Sequence, residues 1–148
     1  ELFKVAATHQ IPGYCLGAAP GVAQRAIDNV SAQVGVLNIA GIHDGFFDSA
    51  EEQEIIKSIA DSKAKLVFVA LGVPKQEQWI AEKLSHLDGV VAIGIGGSFD
   101  VLAGNIPRAP EWMQQNRLEW LYRLYLEPQR IGRMLAIPKF MWTVIRNK

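Results

Sequence analysis

The sequence has 148 residues, and its 15 Lys and Arg residues balance 15 Asp and Glu residues, so its formal net charge is zero. A hydrophobic fraction of 49% and a charged fraction of 20% exclude a disordered chain and predict one globular domain with a sizeable core. The single cysteine, Cys15, excludes an internal disulfide and indicates a reducing compartment. Because Cys15 lies in an apolar run, we expect a buried, unreactive thiol.

The charge is unevenly distributed along the chain. Residues 1–100 carry seven Lys and Arg against twelve Asp and Glu, whereas residues 101–148 carry eight against three and hold three of the four tryptophans. No apolar run has the length of a bilayer-spanning helix, and the first residues lack the layout of a signal peptide. The sequence starts without Met, and its first twelve residues are weakly patterned, so we expect that a segment of the domain precedes it.

Two strand–loop units open the chain. An expected strand at residues 14–16 leads through a glycine loop at residues 17–21 to a helix at residues 22–33. This geometry can direct backbone N–H groups at an anion, and a plain turn between strand and helix fits equally well. A second strand is expected at residues 34–40.

His43 and Asp44 follow the second strand. A neighbouring His and Asp can perform acid–base chemistry or contact a ligand. The alternative is a turn in which the Asp44 carboxylate accepts backbone N–H groups. For Asp44 both readings remain open, and for His43 the turn is favoured. A polar helix is predicted next, at residues 50–62.

Two apolar runs, at residues 66–71 and 90–95, dominate the rest of the pattern. Their length and β-branched content predict strands of a parallel sheet that are buried on both faces by helices. Each run ends in glycine and then in polar residues. Since ligands of open α/β sheets bind outside the carboxyl ends of the strands, these two turns predict a binding crevice.

The first of these turns carries Pro74, Lys75, Gln76 and Glu77. Pro74 suits the start of a helix that we expect to run to about residue 86. Lys75 opposes the helix dipole there, which indicates that it serves an anion such as a diphosphate. Gln76 offers donors and an acceptor for sugar hydroxyls, whereas Glu77 is favoured as a capping or ion-pairing residue.

The second turn runs from Gly96 to Asp100, and its glycines allow close approach of a ligand. Asp100 either accepts hydrogen bonds from a base or ribose, or caps a helix that begins near residue 101. Further on, prolines frame Arg108, and a guanidinium held in this way suits a phosphate or carboxylate.

The C-terminal part is predicted to be helical at residues 112–127 and in shorter pieces from residue 129 to residue 145. Its tryptophans, apolar face and excess of Arg and Lys are typical of a segment that lies on an anionic membrane surface. Packing against the sheet or against a partner chain is the alternative. The sequence shows no zinc-ligand spacing, no nucleophile elbow and no aromatic-basic stripe for nucleic acid, so we expect no metal, no cofactor and no nucleic-acid partner.

Several stretches together carry a resemblance to a known family: Gly41-Ile42-His43-Asp44-Gly45-Phe46-Phe47, Gly72-Val73-Pro74-Lys75-Gln76-Glu77, Gly96-Gly97-Ser98-Phe99-Asp100, Ala103-Gly104, Arg108-Ala109-Pro110, Leu118-Glu119-Trp120-Leu121-Tyr122-Arg123-Leu124 and Glu127-Pro128-Gln129-Arg130. In this order they resemble the WecG/TagA/CpsF glycosyltransferase family over about residues 14–135. Each stretch alone is weak evidence for the family, whereas the whole set in this order is highly specific for it.

The resemblance implies a metal-independent, inverting enzyme on the cytoplasmic face of the bacterial plasma membrane. Such enzymes move an N-acetylmannosamine-type sugar from a UDP donor to an undecaprenyl-diphosphate-linked N-acetylglucosamine, in the synthesis of teichoic acid or surface polysaccharide. The implied fold is Rossmann-like α/β over residues 1–110, a mostly parallel sheet flanked by helices, with a basic helical appendage at residues 111–148. A homo-oligomer is compatible with this reading.

The residue patterns and the resemblance together predict a set of substrate-binding residues: Gly17, Gly41, Gly72, Pro74, Lys75, Gln76, Glu77, Gly96, Gly97, Ser98, Phe99, Asp100 and Arg108. Within this set, Gln76 corresponds to the family's sugar-contacting glutamine, and Asp100 lies at the nucleotide end. Three arginines correspond to basic positions of the appendage that meet the membrane and the lipid diphosphate: Arg123, Arg130 and Arg133.

One departure from the family concerns the catalytic base. The family carries an N-terminal Asn-Ala-Asp-Gly-like stretch, whose aspartate serves as the base, and a threonine near the donor, and neither is present here. Asp44 is therefore the candidate base within the chain, alongside Gln76 as a catalytic residue. The alternative function is a non-catalytic module that binds a nucleotide sugar or docks on a membrane. An oxidoreductase is disfavoured because the chain lacks GxGxxG.

Overall fold

The computed structural model of the chain describes residues 1–107 and 109–126, except for the side chains of Glu119, Trp120 and Arg123. The chain divides into two compact units, Glu1–Ile106 and Pro107–Lys148. The first unit contains the sheet and the candidate site.

Helices and strands alternate along the first unit. In chain order they are α1 (Leu2–Thr8), β1 (Gly13–Gly17), α2 (Val22–Val34), β2 (Ile39–His43), α3 (Ser49–Asp61), β3 (Leu66–Ala70), α4 (Lys75–Trp79), β4 (Val91–Gly94) and α5 (Ser98–Leu102). A π-helical segment, Ile80–Leu84, continues α4. The four strands form one parallel sheet in the order β2-β1-β3-β4. This confirms the predicted α/β fold with a parallel sheet flanked by helices.

The two central strands, β1 and β3, are buried along their whole length. Because successive side chains of a strand point to opposite faces, Cys15 and Phe68 pack beneath α1, α2 and α5. Leu16 and Val67 pack on the other face, beneath α3, α4 and the π-helical segment. The helices thus cover both faces, which is how a parallel sheet excludes water from its core.

The fourth strand differs from the expectation. Its apolar sequence predicted burial on both faces, but β4 lies at the edge of the sheet, and Val91 is 57% exposed. The second strand also differs, because α2 continues to Val34, and β2 begins only at Ile39.

One helix was not predicted, and another begins earlier than predicted. Residues 2–8 form α1. The hydrophobic pattern of this helix is weak because its buried residues are two small alanines, Ala6 and Ala7. Helix α5 begins at Ser98 with Gly97 at its N-cap, so Asp100 lies inside the first turn and does not cap the helix.

The described part of the second unit contains α6 (Glu111–Gln115) and α7 (Glu119–Leu126). The predicted continuous helix at residues 112–127 is therefore wrong: it is interrupted at Arg117, whose φ of 57° is left-handed. The predicted helical pieces at residues 129–145 lie outside the described residues. Among the helices of residues 1–107 and 109–126, none combines the length and apolar character needed to cross a bilayer.

Candidate binding crevice at the carboxyl edge of the sheet

The loops that follow the four strands lie at one edge of the sheet, because all four strands are parallel and in close register. Backbone hydrogen bonds join these loops: the Gly45 N–H donates to the Ala18 carbonyl at 2.8 Å, and the Ala18 N–H donates to the Ala70 carbonyl at 3.1 Å. The Ile95 N–H donates to the Val69 carbonyl at 2.8 Å. The two glycine turns predicted to form a crevice therefore follow neighbouring strands on the same side of the sheet.

The strand order also indicates where in this edge a ligand fits. The chain leaves β1 toward β2 and later continues from β3 toward β4, so the connections diverge between β1 and β3. Ligands of open α/β sheets bind at such a switch point. Gly17 ends β1 there with a φ of +117°, and a Cβ on it would collide with the Ala70 backbone. Only glycine allows the two loops to approach this closely.

Gln76 links the first turn of α4 to the turn after β4. Its side chain is 3% exposed. Its Oε1 accepts the Gly96 N–H at 2.9 Å, and its Nε2 donates to Glu77 Oε1 at 2.8 Å. A Cβ on Gly94 would collide with the Gln76 amide, so the glycine at the end of β4 makes room for it. In this structure Gln76 therefore positions the glycine turn at residues 96–97, and Glu77 fixes the orientation of the amide.

Lys75 is exposed on the same helical turn. Its Nζ lies 5.5 Å from the centre of the Phe47 ring, within the range of a cation–π interaction. Phe47 also makes an edge-to-face contact with His43, with 6.0 Å between the ring centroids. Pro74, before the helix, follows a cis peptide bond. The α4 turn and the loop after β2 thus meet through Phe47 and Lys75.

The structure places His43 and Asp44 in a turn. Asp44 Oδ1 accepts the Phe46 N–H at 2.8 Å, which is the local bond typical of aspartate in turns. The His43 Nδ1 lies 3.0 Å from the Asp44 carbonyl oxygen, which can only accept, so this contact requires the proton on Nδ1. Asp44 is partly exposed, and it directly follows β2 at the carboxyl edge of the sheet.

The turn after β4 mixes accessible and buried residues. Ser98 Oγ donates to the Ile95 carbonyl at 2.6 Å, which stabilises the turn. Asp100 is partly exposed, and its Oδ1 lies 3.4 Å from the Asn105 Nδ2. Phe99 is 0% exposed and belongs to the core, so its side chain does not line the crevice. The predicted contact of Phe99 with a substrate is therefore corrected to a packing role.

Some predicted residues are not brought to the crevice by the described structure. Gly41 lies within β2, where a Cβ would collide with the Tyr14 ring, so its absence of a side chain serves packing. Gly72, by contrast, follows β3 at the carboxyl edge, where its φ of 80° forms the bend that leads into α4. The remaining predicted residues have side chains outside the described part: Arg108, Arg123, Arg130 and Arg133.

A contact that the sequence analysis missed lies beside the crevice. Glu52 in the first turn of α3 accepts the indole N–H of Trp79 through Oε1 at 2.8 Å and pairs with Lys83 through Oε2 at 2.9 Å. The hydrogen bond from Lys83 lowers the pKa of the Glu52 carboxyl below its ordinary value of 4.5. Trp79 and Lys83 are four residues apart, so one helical face presents both, but nothing local in the sequence points to their partner on α3.

Two further features bear on ligand chemistry. Within residues 1–107 and 109–126, no group of three or more His, Cys, Asp or Glu side chains is arranged to hold a metal ion. The second unit holds a cavity of about 570 Å³ with an almost wholly apolar lining: Pro110, Trp112, Met113, Leu121, Tyr122, Leu124 and Tyr125. This volume lies within the range of sites for small apolar ligands.

Comparisons with known proteins extend these observations. The family model described as "Glycosyl transferase WecG/TagA/CpsF family" matches residues 1–148. An N-acetylglucosaminyldiphosphoundecaprenol N-acetyl-beta-D-mannosaminyltransferase of Bacillus subtilis (strain 168) is 40% identical over 148 residues, which is 100% of this chain and 57% of the relative.

Two relatives with the same enzyme name give similar results. The protein of Bacillus spizizenii is 43% identical over 133 residues, 89% of this chain and 51% of the relative. The protein of Staphylococcus aureus (strain NCTC 8325 / PS 47) is 33% identical over 148 residues, 100% of this chain and 58% of the relative. The chain thus spans little more than half the length of these curated relatives.

Proposed function

Because the chain belongs to the WecG/TagA/CpsF glycosyltransferase family, we propose that it transfers an N-acetylmannosamine-type sugar from a UDP donor to an undecaprenyl-diphosphate-linked N-acetylglucosamine. The relatives carry the name of an N-acetylmannosaminyltransferase that acts on the N-acetylglucosaminyldiphosphoundecaprenol acceptor. The observation that supports this function best is that the glycine turns after neighbouring parallel strands lie at one edge of the sheet, with Lys75 exposed in the helix turn beside them.

The proposed donor site uses the residues at the strand ends. Lys75 and the backbone N–H groups of the glycine turns neutralise the diphosphate, and Asp100 contacts the uridine. Gln76 holds the turn at Gly96 in place, and it presents its remaining amide donor to the sugar.

The proposed reaction is a direct displacement at the anomeric carbon. The acceptor hydroxyl oxygen attacks this carbon while the bond from the carbon to the diphosphate oxygen breaks, and UDP departs with the electron pair. The Asp44 carboxylate takes the proton of the hydroxyl. Lys75 and the backbone donors stabilise the charge that develops on the leaving diphosphate. A displacement from the face opposite the leaving group inverts the anomeric configuration.

Calorimetric titration of the chain with UDP tests the donor site. We expect saturable binding that Lys75→Met weakens by about tenfold, because a charge-assisted contact to phosphate is lost. Lys57→Met is the matched control, since Lys57 is an exposed lysine on α3. Asp100→Ala should also weaken binding, whereas Asp88→Ala should not, because exposed Asp88 precedes β4 and lies at the opposite edge of the sheet. A chain that does not bind UDP would contradict the proposed site.

A second candidate function is a nucleotide-sugar-binding module without catalysis. It is favoured by the engagement of Asp44 Oδ1 in its own turn. An assay with UDP-N-acetylmannosamine and a short polyprenyl-diphosphate-linked acceptor separates the two functions. Product formed by wild type and lost in Asp44→Asn supports the transferase. UDP binding without product supports the module.

We further propose that the second unit contacts the anionic inner face of the plasma membrane. The supporting observations are the exposed Trp112 and Tyr125, the apolar cavity that both residues help to line and the excess of Arg and Lys in residues 101–148. Vesicles with anionic lipid should sediment the intact chain, and truncation after Pro110 should abolish this while UDP binding remains. Equal sedimentation of both forms, or equal binding to zwitterionic vesicles, would overturn the membrane proposal.

A further inference from the structure

In the proposed donor site two segments form neighbouring walls of the crevice, and the structure joins them at two separate points. The first segment is the loop between β2 and α3, which carries Asp44 and Phe47, and the second is the start of α4, which carries Lys75. The first joint is the contact of the Lys75 ammonium with the Phe47 ring. An exposed cation on an aromatic ring is a weak contact, so it does not by itself hold the two walls at a fixed distance.

The second joint is the Glu52 carboxylate, which binds two groups of the helix after β3. Both of its oxygens are used, one by the indole of Trp79 and the other by the ammonium of Lys83. Trp79 is buried, and the side chains of Glu52 and Lys83 are 19% and 30% exposed. A carboxylate that is partly shielded from water and accepts two well-directed donors is more rigid than an exposed ion pair.

The loop before α3 is fastened to the turn that carries Glu52. Asp48 Oδ1 accepts the N–H groups of Ala50 and Glu51 at 2.8 and 2.9 Å, and Glu51 Oε2 accepts the Asp48 N–H at 3.1 Å. This reciprocal capping box fixes how the loop enters the helix. A displacement of Glu52 relative to Trp79 would therefore displace Phe47 relative to Lys75.

We propose that Glu52 is a positioning residue for the diphosphate-binding wall of the crevice: it fixes α4 against α3 and thereby places the Lys75 ammonium. This inference rests on the proposed function, since it assumes that Lys75 serves the donor diphosphate. Glu52 itself contacts the helix and not the ligand.

The test is Glu52→Gln in the 148-residue chain, with Glu54→Gln as the matched control. Gln retains an acceptor for the Trp79 indole but loses the charge that binds Lys83, whereas Glu54 is exposed on the same helix. We expect E52Q to raise the Kd for UDP by about tenfold and to leave the Kd for uridine, which lacks the diphosphate, within about twofold. E54Q should change neither constant. Lys83→Met should raise the Kd for UDP to the same extent. The double variant E52Q/K83M should bind UDP no more weakly than either single variant, because both substitutions break the same ion pair.

A second measurement does not depend on a ligand. The Phe47 ring shifts the resonances of the Lys75 side-chain methylene protons, and we expect E52Q but not E54Q to reduce this shift. If E52Q weakens UDP and uridine equally, or binds UDP as wild type does, the positioning role is wrong. If wild type does not bind UDP, the proposed function is wrong. The resonance measurement still tests the positioning role in that case, because an unchanged Lys75 resonance in E52Q would show that Glu52 does not place the ammonium.

Discussion

The central and the edge strands of the sheet have similar sequences and different surroundings. β1 and β3 are buried at all of their positions, whereas β2 and β4 are partly exposed. Val69 in β3 is 0% exposed, and Val91 in β4 is 57% exposed, although both are valines in short apolar runs of one parallel sheet. An apolar run therefore identifies a strand of such a sheet, and its position within the sheet depends on the pairing order.

The difference extends to the loops at the carboxyl edge. The loops after the central strands approach each other through backbone hydrogen bonds and small residues, such as Gly17, Ala18 and Ala70. The loops after the edge strands carry side chains that can act on a ligand, including Asp44 and Asp100. In this arrangement the central loops approach each other closely, whereas the candidate ligand-contacting side chains come from the edge loops and from the start of α4 after central β3.

The largest expected effect is the protection of a thiol in the central strand. Cys15 is fully buried in β1, and burial raises the pKa of its thiol to about 12. At neutral pH a reagent therefore cannot reach the sulfur in the folded chain, and the thiol is not ionised to the reactive thiolate. We expect a disulfide reagent to label it at least about a thousandfold more slowly than the unfolded chain, since labelling requires opening of the core.

An edge-strand thiol supplies the contrast. Ala40 is exposed in β2, and the variant Ala40→Cys should show one rapidly labelled thiol and one slow thiol under native conditions. Two rapid thiols, measured by the absorbance of the released chromophore, would show that β1 is not protected.

The next largest effect is a difference in stability between two variants that carry the same Val→Ala substitution, one in a central strand and one in an edge strand. Val69→Ala should lower the free energy of unfolding by about 2 kcal/mol or more, because buried methyl groups are removed and a void remains. Val91→Ala should change it by less than about 0.5 kcal/mol, as is typical of exposed positions. Urea denaturation of both variants measures the difference, and equal destabilisation would contradict the central–edge distinction.

The fold was predictable where local pattern determines it. The spacing of buried residues in α2 and α3 and the apolar runs of β1 and β3 are properties of short segments. The edge position of β4 was not predictable, because it depends on which strands pair. Helix α1 was missed because its buried residues are small, and the break before α7 was missed because residues with helical spacing continue across Arg117.

A smaller effect is expected at the joint between a central and an edge loop. Gln76→Ala removes the acceptor of the Gly96 N–H and a buried amide, so we expect a loss of about 1–2 kcal/mol in the free energy of unfolding. Gln78→Ala is the control, because Gln78 is exposed on the same helix. Amide hydrogen exchange should accelerate at Gly96 in the first variant alone. Unchanged exchange there would show that Gln76 does not hold the turn.

The candidate site was predictable in part, for a related reason. The glycine turns and the polar residues after them stand next to the strands in the sequence, so their meeting at one edge follows from parallel pairing. The partners of Gln76 and Glu52 were not predictable, because Gly96 is 20 residues from Gln76 and Trp79 is 27 residues from Glu52. Such contacts exist only once the sheet has placed its helices side by side.

The smallest expected effect is the pH dependence of the stability that Glu52 provides. Glu52 joins α3, which follows the edge strand β2, to the helix that follows the central strand β3. The Lys83 hydrogen bond keeps the pKa of Glu52 below 4.5, with smaller contributions from the Trp79 indole and the charge of Lys75. A carboxyl whose pKa is lower in the folded than in the unfolded chain stabilises the fold above its unfolded pKa, and this contribution disappears as the pH falls through the folded pKa. Wild type should therefore be more stable than Glu52→Gln near neutral pH, and the difference should shrink below about pH 4.5.

Thermal unfolding of wild type, E52Q and E54Q over this range measures that difference, and the comparison between variants removes the titration of the other carboxylates. A constant difference between wild type and E52Q at all pH values would mean that the carboxylate charge does not stabilise the contact. In that case the Trp79 hydrogen bond, which Gln can still accept, would be the interaction that joins the edge-strand loop to the central one.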